Sequence, residues 1–282
     1  MDYYKITKKD FPKHSKFKFN IIKNLAELND RISTEIAVLI EKNSKMRKST
    51  FLILPVGPLD YRYLAEKCNK MHLDLSQVEI FMMDEYLGED GKLIPEGHPL
   101  SFRRFMRQNF LDNLEQPIRS NMMEIKFPTP ENLKQLSKRI EEIDGVDVCY
   151  GGLGITGHLA FNDPPEPGEV MTIEEMKNLP ARVLTISRES IIQMAMGGTN
   201  GNLEILPKKA VSLGMKELLA SKKIHLTFMR NWHAGVFRKA LFGPITVQCP
   251  GSLIQKHPNV EVTMTELVAE VPRSDLFQST GK

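Results

Sequence analysis

Cysteine is scarce in this chain. Three occur in 282 residues, Cys68, Cys149 and Cys249, widely spaced and without a CxxC pair. That count and spacing exclude a disulfide framework and a thiolate metal site. Two of the three lie in apolar runs, where a thiol behaves as a small buried hydrophobe. Metal-ligand spacing is missing as well. His72, His98, His225, His233 and His257 form no HxxxH pair, and no metal is expected. An excess of one charge is also absent, since 38 basic against 35 acidic residues leave a net charge of +3. A balance so close to neutral gives no reason to invoke nucleic acid or an acidic membrane surface. The lysines at 5, 8, 9, 13, 16 and 18 are diluted by Asp2, Asp10 and aromatic residues, which reads as a solvated leading segment. No apolar run approaches the ~20 residues of a membrane span. The first thirty residues lack the apolar core of a signal peptide. A cytoplasmic protein in a reducing compartment is expected. With no repeat, low-complexity tract or linker, residues 1–282 are read as one domain.

What is present is a regular alternation of short apolar runs and amphipathic stretches. Ile21, Leu25, Leu28, Ile32, Ile36 and Leu39 recur at helical spacing and predict a long helix capped by Asn20. Strands are expected at 50–56, 78–83, 146–150, 181–187, 224–228 and 260–264. Helices are expected at 61–71, after Pro99, after Thr129-Pro130, at 188–196, from Lys216 and at 232–242. Residues 87–98 read as a loop, and the proline-rich stretch 164–180 as an excursion without a period. In 224–228, Ile224, Leu226 and Phe228 alternate with His225 and Thr227, which predicts a strand with two unlike faces. This order argues for an α/β fold with an open, mostly parallel, Rossmann-like sheet and helices on both faces.

The chemistry concentrates at three strand ends. Gly57 follows the 50–56 run, Asp84-Glu85 follows 78–83, and Gly151-Gly152-Leu153-Gly154-Ile155-Thr156-Gly157-His158 follows 146–150. Glycines so dense belong where backbone turns tightly and approaches a small ligand. Open parallel sheets bind ligands at the carboxyl ends of their strands. If these three ends are neighbours, one crevice holds a glycine turn, a carboxylate pair and the His158/Asp163 pair. That set suits proton transfer on a small polar substrate. Asp163 is placed to fix the His158 tautomer and raise its basicity. Gly152-x-Gly154-x-x-Gly157 formally matches a dinucleotide fingerprint. Pro164 and Pro165 leave little room for the required helix, however, and no strand-end acid follows ~20 residues on, so a nucleotide is rejected.

Met83-Asp84-Glu85-Tyr86 after a strand, the long motif from Gly152 to Pro164, and the later Ser252–Pro258 stretch resemble the glucosamine-6-phosphate deaminase/isomerase family, relatives of the 6-phosphogluconolactonases. The resemblance covers about residues 20–265. It implies a cofactor-free conversion of an amino sugar phosphate to a ketose phosphate plus ammonia. Asp84 would then be the base between C2 and C1, and Glu85 would lie beside it. His158 would assist ring opening, supported by Asp163 where the family more often has glutamate. Gly57, Gly152, Gly154 and Gly157 would approach the substrate.

Departures are visible. Thr156 stands where the family commonly has an acid. Pro55-Val56-Gly57-Pro58-Leu59 replaces its threonine–glycine-rich phosphate cradle. Its phosphate-binding arginine would fall near Gln193 or Met194, and its lysine near His233. Arg188, Arg230 and Arg238 lie near enough in sequence to substitute. The partner expected is a small-molecule sugar or sugar phosphate, with no nucleic acid and no membrane, and a homo-oligomer is left open. Two alternatives stand beside this reading: a lactonase-like hydrolase in which His158 activates water, and a catalytically impaired sugar-binding or regulatory relative.

Overall fold

The computed structural model describes residues 2–122 and 125–273. Among the described residues, nine strands form two sheets. β1 (Lys18–Ile22), β2 (Thr50–Leu54), β3 (Val78–Met82), β5 (Val148–Gly151), β8 (Ile224–Phe228) and β9 (Val260–Thr265) make a six-stranded sheet in the order β1-β9-β8-β5-β2-β3. Every pairing in it is parallel. The expected open α/β sheet is therefore present. β4 (Asp84–Leu87), β6 (Arg182–Thr185) and β7 (Lys209–Ser212) make a second, antiparallel sheet in the order β4-β7-β6. Sequence periodicity did not separate this second sheet. β4 runs on from β3 with one residue between, and β7 falls within residues 203–215, whose mixed pattern reads only as extended chain ahead of a helix.

Side-chain alternation along the parallel strands divides the core into two layers. Leu52 and Leu54 of β2 face a cluster with Ile32, Ile36 and Leu64 from the helices Leu25–Lys45 and Tyr61–Lys70. Ile53 faces the opposite cluster, with Leu136, Leu218 and Phe237 from the helices Leu133–Glu142, Met215–Leu219 and His233–Phe242. Covered on both faces, β5, β8 and β9 are buried along their whole length, and β2 at every residue but the half-buried Phe51. β8 shows this most clearly. His225 and Thr227 are buried like their apolar neighbours, because His225 bonds to Glu35 and Thr263, and Thr227 donates to the Gly151 carbonyl. Its two faces differ in polarity but not in exposure.

The start of the first long helix differs from the one the pattern predicts. Asn20 lies in β1 rather than at a helix cap, and the cap is Asn24, whose side chain accepts from the Glu27 N–H at 3.0 Å. Pairing of β1 with β9 overrides the helical spacing that Ile21 had suggested. The leading segment is also not simply solvated. Ile6, Phe11 and Phe17 are buried in the core, and the fully buried Arg238 ties the segment down by donating to the Ile6 carbonyl at 3.0 Å. The 164–180 excursion contains one short helix, Ile173–Lys177, closed by a Thr172/Glu175 capping box.

Chain order sets the position of the crevice. After β2 the chain moves outward to β3, then crosses back to place β5 on the other side of β2. The loops leaving β2 and β5 therefore diverge, as they do at the switch point of open α/β sheets. Gly145, which leads into β5, has φ +74°, and a Cβ on it would lie 1.9 Å from the Ala220 carbonyl oxygen. Gly145→Ala is expected to lower unfolding free energy by about 2–4 kcal/mol, the sum of left-handed strain and a clash with rigid backbone. Urea denaturation measures it, and a loss within error of zero would mean that the turn relaxes freely.

Candidate active site

A cavity of about 540 Å³ opens at the carboxyl ends of β3, β2, β5 and β8. Asp84, His158, Gly57, Gly152, Gly154, Arg230 and His233 all line it, so the three strand ends do converge. Glu85, Thr156, Asp163, Gly157 and Arg188 do not line it, and each has a distinct place.

Asp84 occupies the joint between the two sheets. Met83 N–H donates to the Leu54 carbonyl in the parallel sheet, and the Met83 carbonyl accepts from Leu213 N–H beside the antiparallel one. Asp84 follows, paired with Ser212. It is 8% exposed, and burial together with the adjacent Glu85 carboxylate pushes its pKa up to about 8. Glu85 points the other way. Its oxygens accept from the backbone N–H groups of Tyr86, Phe102 and Arg103 and from the Ser101 hydroxyl, at 2.9–3.2 Å. It is an anchor for the helix Phe102–Asn109 and not a cavity group. Strand alternation explains the split, since neighbouring residues project to opposite faces.

The glycine loop is shaped around one imidazole. A Cβ on Gly154 would lie 2.0 Å from His158 Nε2, so only glycine lets the ring lie against the backbone there. Gly157 has φ +84° and no room for a Cβ beside the Cys249 sulfur. The Gly157 carbonyl accepts from Gly251 N–H at 2.7 Å, which docks the loop on the Pro250–Lys256 turn. Asn162 fastens the far end by donating to the Leu159 and Leu213 carbonyls. No helix opens on these glycines.

His158 Nδ1 donates to Asp163 Oδ1 at 2.7 Å. Two hydroxyls join the same pair. Thr156 donates to Asp163 at 2.8 Å and Ser190 at 2.9 Å. The imidazole and both hydroxyls hold the Asp163 carboxyl down to about 2, against the opposing effect of its burial. Asp163 therefore stays ionised, and His158 keeps Nδ1–H while Nε2 faces away from the carboxylate. Ser190 is the residue that sequence reasoning missed. It is buried on the helix Arg188–Gly198, 27 residues beyond its partner, and no local pattern announced the contact.

The cations fare differently. Arg188 is exposed at the start of that helix and lies away from the cavity. Arg238 is consumed by the carbonyls of Ile6, Ala234 and Ala269. Among the described residues Arg230 is the one arginine or lysine that lines the cavity. His233 Nδ1 accepts from the backbone N–H groups of Met229 and Arg230, and burial with the Arg230 charge pushes its pKa down to about 3. It is a neutral histidine at neutral pH. Gln193, near the expected arginine position, accepts from Ile155 N–H at 2.5 Å and braces the glycine loop. Away from the cavity, Glu35, His225 and Glu261 gather ligand atoms within 4.8 Å. Lys223 Nζ already supplies a cation there, 2.9 Å from Glu35 and 2.7 Å from Glu261. No helix among the described residues is long and apolar enough to cross a membrane.

Fold and site together define a class: an open parallel α/β protein whose strand-end crevice is lined by both a buried aspartate and an aspartate-held histidine. No protein-family profile matches the chain. It is similar, 29% identical over 255 residues, to glucosamine-6-phosphate deaminase of Thermoanaerobacter pseudethanolicus, with 88% of this chain and 94% of that protein covered. Glucosamine-6-phosphate deaminase 2 of Bacillus subtilis is 28% identical over 259 residues, covering 90% and 98%. Among solved structures, a monomeric glucosamine-6-phosphate deaminase superposes with a TM-score of 0.73 at 21% identity, over 90% of this chain and 99% of that one. A 6-phosphogluconolactonase from Shewanella baltica gives 0.59 at 18% identity, over 88% and 97%. Over about nine-tenths of its length the chain is thus similar to glucosamine-6-phosphate deaminases, and its fold is that of the solved structures named here.

Gly154→Ala tests the imidazole seat. The added methyl should displace His158 and lower kcat/KM by about 100-fold or more, with the fold retained by circular dichroism. Activity within threefold of wild type would show that the ring does not depend on this contact.

Proposed function

We propose that this protein, acting as one domain, is an amino-sugar isomerase/deaminase that opens the sugar ring, moves a proton between C2 and C1 and releases ammonia. The observation that carries it is Asp84, a carboxylate buried at the head of a ligand-sized cavity with its pKa raised toward neutrality. A general base works best when its pKa lies near the working pH. Coverage of about nine-tenths of the chain by glucosamine-6-phosphate deaminases supports the same chemistry.

The steps follow from the groups present. His158 moves the proton that opens the ring, from the C1 hydroxyl to the ring oxygen, as the C1–O5 bond breaks. The aldehyde so formed acidifies the C2 proton. Asp84 takes that proton, the C2–H electron pair becomes the C1–C2 double bond, and O1 is protonated. Return of a proton to C1 leaves a C2 iminium, to which water adds as ammonia departs. Asp163, kept ionised, stabilises the imidazolium that His158 becomes in passing. The Thr156 hydroxyl remains part of this group through its bond to Asp163, so an acid at that position is replaced by a donor and not simply lost.

A lactonase would need no base at C2, and the experiment separates the two. In deuterium oxide the protein should exchange the C2 proton of an amino sugar and release ammonia, and Asp84→Asn should lower both by about 10²–10⁴-fold. Exchange at the wild-type rate in that variant would remove Asp84 from the mechanism. Since the base must be ionised, kcat/KM should fall about tenfold per pH unit below about 8. Stability moves in the opposite sense. The folded carboxyl holds its proton up to about 8, against an ordinary value of 3.8. Its contribution to stability is therefore full below the lower value and lost as pH rises through the upper. Asp84→Asn should accordingly melt above wild type at pH 8, and a lower melting temperature would contradict the buried-carboxyl assignment.

A further inference from the structure

The proton transfers assign nothing to Ser190, yet it is 1% exposed and bonded to the His158/Asp163 pair. Its Oγ lies 2.9 and 3.0 Å from the two Asp163 oxygens and 3.0 Å from His158 Nδ1. With the ring proton on Nδ1, where Asp163 holds it, the hydroxyl proton goes to the carboxylate. The hydroxyl oxygen then faces the N–H as a second acceptor. This geometry rules out a nucleophilic serine, which would have to give its proton to a free ring nitrogen, and Nδ1 is not free. The helix Arg188–Gly198 holds the hydroxyl in place. Its N-cap is Ser187, whose Oγ accepts from Ser190 N–H at 3.2 Å. One turn on, Gln193 Oε1 accepts from Ile155 N–H, so the same helix face grips the glycine loop at a second point. Ser190, Gln193, Met194 and Gly197 form that face, and all four line the cavity, whereas Asp163 and Thr156 do not.

We infer that Ser190 is a positioning residue for ring opening: its hydroxyl seals the Asp163 carboxylate from the cavity, so that the pair meets substrate through His158 Nε2. The need follows from the substrate class. A sugar carries several hydroxyls and an amino sugar an ammonium as well, all of them donors to a buried carboxylate. A carboxylate open to the cavity would bind one of these donors, turn away from Nδ1 and release the ring. With Thr156 and Ser190 both donating to it, Asp163 stays turned to the imidazole. The inference rests on the isomerase reading, since it gives Ser190 a part in the step assigned to His158, but the seal itself is a property of the protein without substrate.

The first measurement needs no reaction. The Nδ1 proton of His158, in its 2.7 Å bond to Asp163, should give a far-downfield proton NMR signal in the wild-type protein. Ser190→Ala should speed its exchange with water by about tenfold or more, and Ser190→Thr, which keeps the hydroxyl, should restore slow exchange. Absence of the signal in the wild type, or equal exchange in Ser190→Ala, overturns the inference. The second measurement reads ring opening alone. Asp84→Asn protein, without its C2 base, should still speed interconversion of the two anomers of glucosamine 6-phosphate, followed by NMR exchange. Adding Ser190→Ala should slow the catalysed rate by about tenfold or more while the Kd of the sugar stays within about threefold, and adding Ser190→Thr should not slow it. An undiminished rate, or a loss of binding that accounts for the slower rate, overturns the positioning role. Ser190→Cys, of similar volume but a weaker donor, replaces the alanine variant in both measurements where that variant does not fold. If Asp84→Asn protein leaves the anomers at their uncatalysed rate, ring opening by His158 fails, and exchange of the Nδ1 proton still decides whether Ser190 seals the pair.

Discussion

The transfer of the chain from one sheet to the other at Met83 is the constraint on which the site depends. Met83 is bonded through its N–H to the parallel sheet and through its carbonyl to the segment that follows β7. The two residues after it then leave along the pleat in opposite directions. One carboxylate becomes the anchor of a helix, and its neighbour is left buried at the head of a cavity. The high pKa of Asp84 is therefore a consequence of topology, since the same dipeptide on a solvated turn would titrate as ordinary acids do. Burial disfavours its charge, and the adjacent anchored carboxylate adds to that effect.

Opposite Asp84 the loop after β5 solves a different problem, that of holding an imidazole still. The close approach of Gly154 sets the ring against backbone. Asp163 then fixes the tautomer, and hydroxyls from Thr156 and Ser190 occupy the remaining faces of that carboxylate. Three donors on one carboxyl group outweigh the cost of its burial. A second acid at position 156 would have added charge to this network. A threonine adds only a donor to Asp163.

The two ends of the cavity follow different physical rules. The end that holds His158 is polar and buried, and the ring is tied through Asp163 to Thr156 and Ser190. The distal end is built from aromatic and thioether side chains, with Arg230 as its single guanidinium among the described residues.

Much of this was legible in the chain. The open parallel sheet, its strands and the convergence of Gly57, Asp84 and the glycine loop follow from local patterns, because hydrophobic runs, glycine clusters and chain order act through neighbours in sequence. Asn24, rather than Asn20, as the helix cap was not legible, since β1 forms only by pairing with β9 from the other end of the chain. Nor were the antiparallel sheet, the role of Ser190, the diversion of Glu85 to a helix and the use of Arg238 as a tie for the leading segment. The residues from Gly151 to Asp163 by themselves determined that a histidine and an aspartate would share a tight glycine turn. Only the tertiary structure decided which carboxylate of the Asp84-Glu85 pair faces the cavity and which cations reach it. Side-chain direction and burial are set by contacts between segments distant in sequence, and no local spacing encodes them.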